Sequence, residues 1–213
     1  MKKLIYPIIA VALFVVFAFT RGGDEIKTIT VGTDMPSQDV SLIATDDKSY
    51  KLSDLKKENG LLVIFSCNTC PFVVGGKDSD GWEGRYNGVL EAAINNDIGM
   101  VLVNSNAAKR DGGDSMSDMK KHAKKSNLKS TYVLDAGSVI ADSFGARTTP
   151  HVFLFDEELS LVYAGAIDDN VESAAEVKEH WLKAALTQVG KGERVDPAQT
   201  RQKGCSIKRV KSE

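Results

Sequence analysis

The feature that most constrains this chain is a continuous apolar run, Leu61-Leu62-Val63-Ile64-Phe65, which leads through Ser66 into Cys67-Asn68-Thr69-Cys70-Pro71. Apolar residues in succession, bounded by Gly60 and Ser66, fit a strand covered on both faces. Pro71 lacks an N–H and is tolerated in a helix only at its start, so strand should give way to helix at the cysteines. A helix beginning at Cys67 would set that sulfur beside unpaired N–H groups at the positive end of the dipole, with Cys70 one turn on.

Such a junction suits disulfide exchange, which needs a thiolate, a second thiol to resolve the mixed disulfide, and a field that lowers the first pKa. Cys67 and Cys70 are therefore the expected catalytic pair. The other uses of CxxC fit less well. A zinc site needs two further ligands, and Cys205, His122, His151 and His180 offer no paired spacing. A structural disulfide across so short a loop would restrict the unfolded chain little. No metal and no cofactor is expected.

Around this centre the pattern alternates. Ile26 to Leu52 reads as short strands or a hairpin, with alternating Ile26, Thr28, Thr30 and Val40, Leu42, Ala44. Ser53-Asp54-Leu55 begins a short helix. After Pro71 a helical pattern is interrupted at Gly75-Gly76 and resumes over Trp82, Tyr86, Val89, Leu90 and Ala93. Met100 to Val103 is a second buried strand, Ser115 to Ser126 a lysine-rich helix, Tyr132 to Leu134 an extended piece and Ser138 to Phe144 another helix. His151 to Phe155 and Leu159 to Ala164 form a hairpin, and Ser173 to Val189 is the last long helix. The fold class that follows is α/β, a central mixed sheet with helices on both faces.

Of 213 residues 42% are hydrophobic, enough for one sizeable core. The domain is placed at 26–190, followed by a polar tail, 191–213, that carries Cys205. Residues 1–23 read as an export signal or membrane anchor: Lys2 and Lys3 precede an apolar run over 4–20 that sits at the short end of what spans a bilayer. The rest of the chain is accordingly expected in the periplasm or otherwise outside the cytoplasm, with anchoring through 4–20 if the leader stays. A net charge of -2, from 27 basic and 29 acidic residues, gives no field that would gather nucleic acid. In an oxidising compartment three cysteines leave one thiol unexplained.

Two segments, Phe65-Ser66-Cys67-Asn68-Thr69-Cys70-Pro71-Phe72-Val73 and Thr148-Thr149-Pro150-His151-Val152-Phe153-Leu154-Phe155-Asp156, resemble the thioredoxin superfamily. Val103-Asn104-Ser105-Asn106, Tyr163-Ala164-Gly165-Ala166-Ile167-Asp168-Asp169 and Gly204-Cys205-Ser206-Ile207-Lys208 narrow the resemblance to the peroxiredoxin-like group of its redoxin branch, over roughly Thr28 to Lys208. On the residues alone Pro150 is a strand-entry proline. The resemblance implies instead a cis Pro150 facing the cysteines, with the Thr149 backbone free to pair with an extended substrate. It also implies a recurring cysteine at the Cys205 motif, a candidate third redox thiol.

The activity implied is thiol–disulfide exchange on protein or small-molecule disulfides, with reduction the expected direction and a separate thiol–disulfide partner recycling the pair. Cys67 would attack and Cys70 resolve, with Asn68 and Thr69 supplying backbone N–H groups and little else. His151 could favour the thiolate as an imidazolium. Asp168 and Asp169 read as a turn or helix-capping pair. The chain lacks the Pro-x-x-x-Thr/Ser-x-x-Cys loop of the branch's peroxidases before Cys67, and carries Asn68-Thr69 where typical thioredoxins carry Gly-Pro. No acidic residue lies in the central strand. A peroxiredoxin-like antioxidant remains one alternative, and a copper-binding module using both cysteines and His151 another.

Overall fold

The computed structural model describes residues 26–210, so the leader and the anchoring expectation lie outside the described residues. In chain order the elements are β1 (Leu42–Ala44), β2 (Ser49–Tyr50), β3 (Gly60–Ser66), α1 (Pro71–Val74), α2 (Tyr86–Ile94) and β4 (Ile98–Asn104). Then follow α3 (Met116–Lys125), β5 (Thr131–Leu134), α4 (Val139–Phe144), β6 (Thr148–Thr149) and β7 (His151–Phe155). β8 (Leu161–Gly165), α5 (Trp181–Gly190) and β9 (Cys205–Ser206) complete the chain.

Seven strands form one sheet in the order β2-β1-β5-β4-β3-β7-β8, and β6 pairs with β9 apart from it. β3 is central, parallel to β4 and antiparallel to β7, and all seven of its residues are buried. That explains why its apolar run does not alternate: each face of β3 meets a core. Leu62 and Ile64 join Tyr86, Val89, Leu182 and Leu186 on one side, from α2 and α5. Val63 and Phe65 join Ile140, Phe144, Phe153 and Phe155 on the other. There Phe144 stands edge-on to Phe65, Phe153 and Phe155, with ring centroids 5.3–5.6 Å apart. Fully burying one such side chain contributes roughly 1.5–3 kcal/mol.

Two expected elements differ. Residues 26–30 form no strand: Ile29 donates its N–H to the Phe144 carbonyl and Thr28 its hydroxyl to the Gly145 carbonyl, closing the C-terminus of α4. Gly145, at φ +61°, has Lys27 O only 1.8 Å from where a Cβ would sit, so this cap depends on glycine. The last helix starts at Trp181 instead of Ser173, because Val177 is extended and the Asp169 carboxylate accepts the N–H groups of Lys178 and Glu179. Among the described residues no helix is long and apolar enough to cross a membrane.

The segment after α5 folds back over the sheet edge. Val195 and Ile207 are buried, Ala166 N–H donates to the Thr200 hydroxyl at 3.0 Å, and Ala108 N–H donates to the Lys208 carbonyl at 2.8 Å.

Candidate active site

β3 ends at Ser66, and the four residues Cys67 to Cys70 turn before α1 begins at Pro71. The helix thus starts one turn later than the sequence suggested. Cys70 is its N-cap, at φ -86° and ψ 124°, and its carbonyl accepts from Val73 and Val74 N–H. Gly75 ends α1 after a single turn, so α1 has little dipole to lend Cys67.

The Thr149–Pro150 peptide bond is cis, and Thr149 lies against both cysteines. Cys67 Sγ is 3.2 Å from Thr149 Oγ1, and Cys70 Sγ is 3.1 Å from the Thr149 carbonyl, to which its S–H donates when protonated. Both cysteines are free thiols, 1% and 3% exposed. Their ionisation is shared. Cys70 is pulled down to about 5, first by the S–H of Cys67 and then, against burial, by the S–H of Cys205. Cys67 is pushed well up by the same contact with Cys70 and by burial. This coupling draws the charge of the reduced pair toward Cys70 and away from Cys67.

Cys205 stands beside them. β9 runs antiparallel to β6, with Cys205 opposite Thr149 and Ser206 opposite Thr148. The Thr149 backbone is thus occupied by the chain's own C-terminal segment and is not free for a substrate. Residue 204 can only be glycine, since a Cβ there would lie 2.3 Å from the Thr149 carbonyl oxygen. Cys70, Cys205, Thr69, Thr149, Lys109 and Lys208 line a cavity of about 150 Å³.

Asn68 and Thr69 do more than supply N–H groups. Asn68 N–H donates to Asp114 Oδ1 at 2.8 Å, its Nδ2 donates to the Gly113 carbonyl, and its Oδ1 accepts from the Tyr132 hydroxyl at 3.0 Å. Thr69 Oγ1 donates to Asp114 Oδ2 at 2.9 Å. Asp114 also accepts from Asn104 and Asn106, and Arg110 clamps the Asn104 side chain and the Asp114 carbonyl. Sequence reasoning missed Asp114, Arg110 and Tyr132. The nearest pointer was Asn104-Ser105-Asn106, polar residues directly after a buried strand, which must find partners once buried.

His151 does not assist the thiols. Strand parity places it with Phe153 on the opposite face of the sheet from the cysteine cluster, ring centroids 4.4 Å apart, where Nδ1 accepts the Arg147 N–H. Burial, with a smaller effect from Arg147, lowers its pKa to about 3, so it is neutral. Neutrality removes the imidazolium role, and the place of His151 across the sheet from the cysteines removes it as the third ligand of a copper site. Asp169 caps the chain as described. Asp168 is instead buried, accepting from Trp82 Nε1 at 2.7 Å and pairing with Arg85 at 2.6 Å. His122 pairs with Glu83, and His180 is exposed at the start of α5. Among the described residues no group of three or more His, Cys, Asp or Glu is placed to hold a metal ion.

A central mixed sheet with helices on both faces, and two thiols at a strand-to-helix turn facing a cis-proline loop, define a redox enzyme of the thioredoxin fold. The sequence profile of the Redoxin family matches residues 30–179, and the chain belongs to that family. Among solved structures it is similar to a hypothetical protein from Sinorhizobium meliloti 1021, at 29% identity and TM-score 0.77, covering 87% of this chain and 98% of that one. An uncharacterized conserved protein from Geobacillus kaustophilus is similar at 28% identity and TM-score 0.78, covering 88% and 96%. The exposed lipoprotein thioredoxin of Streptococcus pneumoniae, at 22% identity, TM-score 0.52 and coverage of 72% and 98%, shares the fold. No curated protein matches the chain in sequence.

Proposed function

We propose that this chain is a thiol–disulfide oxidoreductase that works outside the cytoplasm, with Cys67 and Cys70 as its redox couple and reduction as its direction. The observation that carries this reading is the placement of both sulfurs on Thr149, 3.2 and 3.1 Å from its hydroxyl and carbonyl oxygens. The exported location is supported by Lys2, Lys3 and the apolar run that follows them.

Cys70 thiolate attacks one sulfur of a substrate disulfide, and the other leaves as a thiolate. Cys67 passes its proton to that thiolate and attacks Cys70 Sγ, expelling the second substrate sulfur and leaving a Cys67–Cys70 disulfide. Asp114, through Asn68 and Thr69, holds the turn that keeps the two sulfurs in reach.

Equilibrating the protein with a dithiothreitol or glutathione series, followed by thiol counting, tests this. The pair should cycle with a potential nearer that of thioredoxin, about -270 mV, than that of a strong oxidant, about -120 mV. Cys70→Ser should abolish insulin reduction, and Cys67→Ser combined with Cys205→Ser should trap a mixed disulfide on Cys70. A wild-type pair that never forms its disulfide would overturn the proposal. One observation favours a second reading, a thiol peroxidase: the cavity over Cys70 has about 150 Å³, room for a small hydroperoxide. Rapid peroxide-dependent oxidation of Cys70, without disulfide reductase activity, would select it.

A further inference from the structure

β9 lies where an incoming polypeptide would have to pair, and it brings a third sulfur to the site. Cys205 sits opposite Thr149 in the β6–β9 ladder, packs against the cluster that holds Cys67 and Cys70, and lines the same small cavity as Cys70. This placement is built into the chain. Gly204 permits the close approach, Ile207 N–H donates to the Arg147 carbonyl at 3.0 Å, and Lys208 N–H donates to Asn106 Oδ1 at 2.9 Å. Exposure also runs in order. Cys67 and Cys70 are buried, whereas Cys205 is only half-buried and lines the cavity that opens over Cys70.

We infer that Cys205 is a third catalytic thiol, which takes the disulfide from the buried pair and presents it at the surface to a recycling dithiol protein. The inference rests on the redox role proposed above for Cys67 and Cys70. After the pair has reduced a substrate, Cys205 thiolate attacks Cys70 Sγ of the Cys67–Cys70 disulfide. The Cys67–Cys70 bond breaks, Cys67 leaves as a thiolate and takes up a proton, and a Cys70–Cys205 disulfide forms. A thiolate of the partner then attacks Cys205 Sγ and expels Cys70. The partner's second thiol attacks its own sulfur in the mixed disulfide and releases Cys205. Two electrons pass from the partner to the chain, and the three cysteines end reduced.

The electrostatics favour this order. In the reduced site burial and then the neighbouring Cys70 hold the Cys205 thiol up at about 11, while Lys208 acts against them. Oxidation of the pair removes the Cys70 charge, so Cys205 ionises more readily at the moment its attack is needed. Cys70, whose thiolate is the most stable of the three, is the better leaving group when the partner attacks Cys205.

The test is disulfide mapping of the full chain after acid quench and alkylation. One equivalent of diamide should join Cys70 to Cys205 within a monomer of Cys67→Ser. In wild type the same oxidation should give Cys67–Cys70 with at least about a tenth of the chains linked Cys70–Cys205. Cys205→Ser should slow re-reduction of the oxidised pair by reduced thioredoxin at least tenfold, while reduction by dithiothreitol changes less than twofold. If wild type forms Cys67–Cys70, yet Cys70–Cys205 is found in neither protein and Cys205→Ser recycles at the wild-type rate, the relay is overturned and the paired-cysteine chemistry stands. If wild type forms no Cys67–Cys70 bond, the reading beneath it fails.

Discussion

Cys67 and Cys70 are the same residue in two surroundings, and the surroundings decide which one carries the charge. The neighbouring Cys67 and Cys205 thiols lower the pKa of Cys70, whereas burial and the same contact with Cys70 raise that of Cys67. His151 shows the opposite use of burial. Beside Phe153 it gains no partner for a positive charge, so its folded pKa falls to about 3 from about 6.5. The unfolded chain then takes up a proton that the folded chain refuses. Stability from His151 is fully present above pH 6.5 and is lost as pH falls toward 3, by up to about 1.4 kcal/mol per pH unit. Urea denaturation between pH 7 and 4 should therefore show a shallower loss in His151→Phe than in wild type. Parallel loss in both proteins would place the acid sensitivity elsewhere.

β9 is only two residues long, so its position depends on what surrounds it. Its ladder with β6 is held by the missing Cβ of Gly204 and by Ile207 packed into the core. Gly204→Val would drive a Cβ to 2.3 Å from the Thr149 carbonyl and should push β9 off β6, at a cost of about 1–3 kcal/mol. Cys70 would then be uncovered. Iodoacetamide labelling of the reduced protein at pH 7 should accelerate at Cys70, and amide exchange at Cys205 and Ser206 should rise. Unchanged protection at both would mean that β9 does not shield the site.

For the molecule as a whole, β3 carries the cysteine turn at its end, and two cores meet on it. Phe144 on α4 packs against three other phenylalanines of the face opposite the cysteines. Phe144→Ala should cost about 3–5 kcal/mol by chemical denaturation, because the surrounding rings close the void only in part. The reduction potential of the surviving folded protein should stay within about 10 mV of wild type, since the sulfurs lie across the sheet. A larger shift would show that the two cores are coupled through β3.

The local chain was legible where one physical demand ruled. Leu61 to Phe65 could only be a doubly covered strand, Pro71 could only open a helix, and Ser115 caps α3 through the N–H of Asp118. The turn that carries the cysteine pair was therefore in view from the residues, whereas the cis Thr149–Pro150 bond came only from the family resemblance. What it could not express is who stands opposite whom. Residues 26–30 alternate like a strand, yet their hydrogen bonds go to the end of α4. His151 follows Pro150 directly, but strand parity turns it away from the thiols. Asp114, on a loop, and Cys205, on β9, reach the site from 44 and 135 positions beyond Cys70. Contacts closed over such separations depend on the assembled sheet, and those contacts decide what surrounds the two cysteines and what covers them.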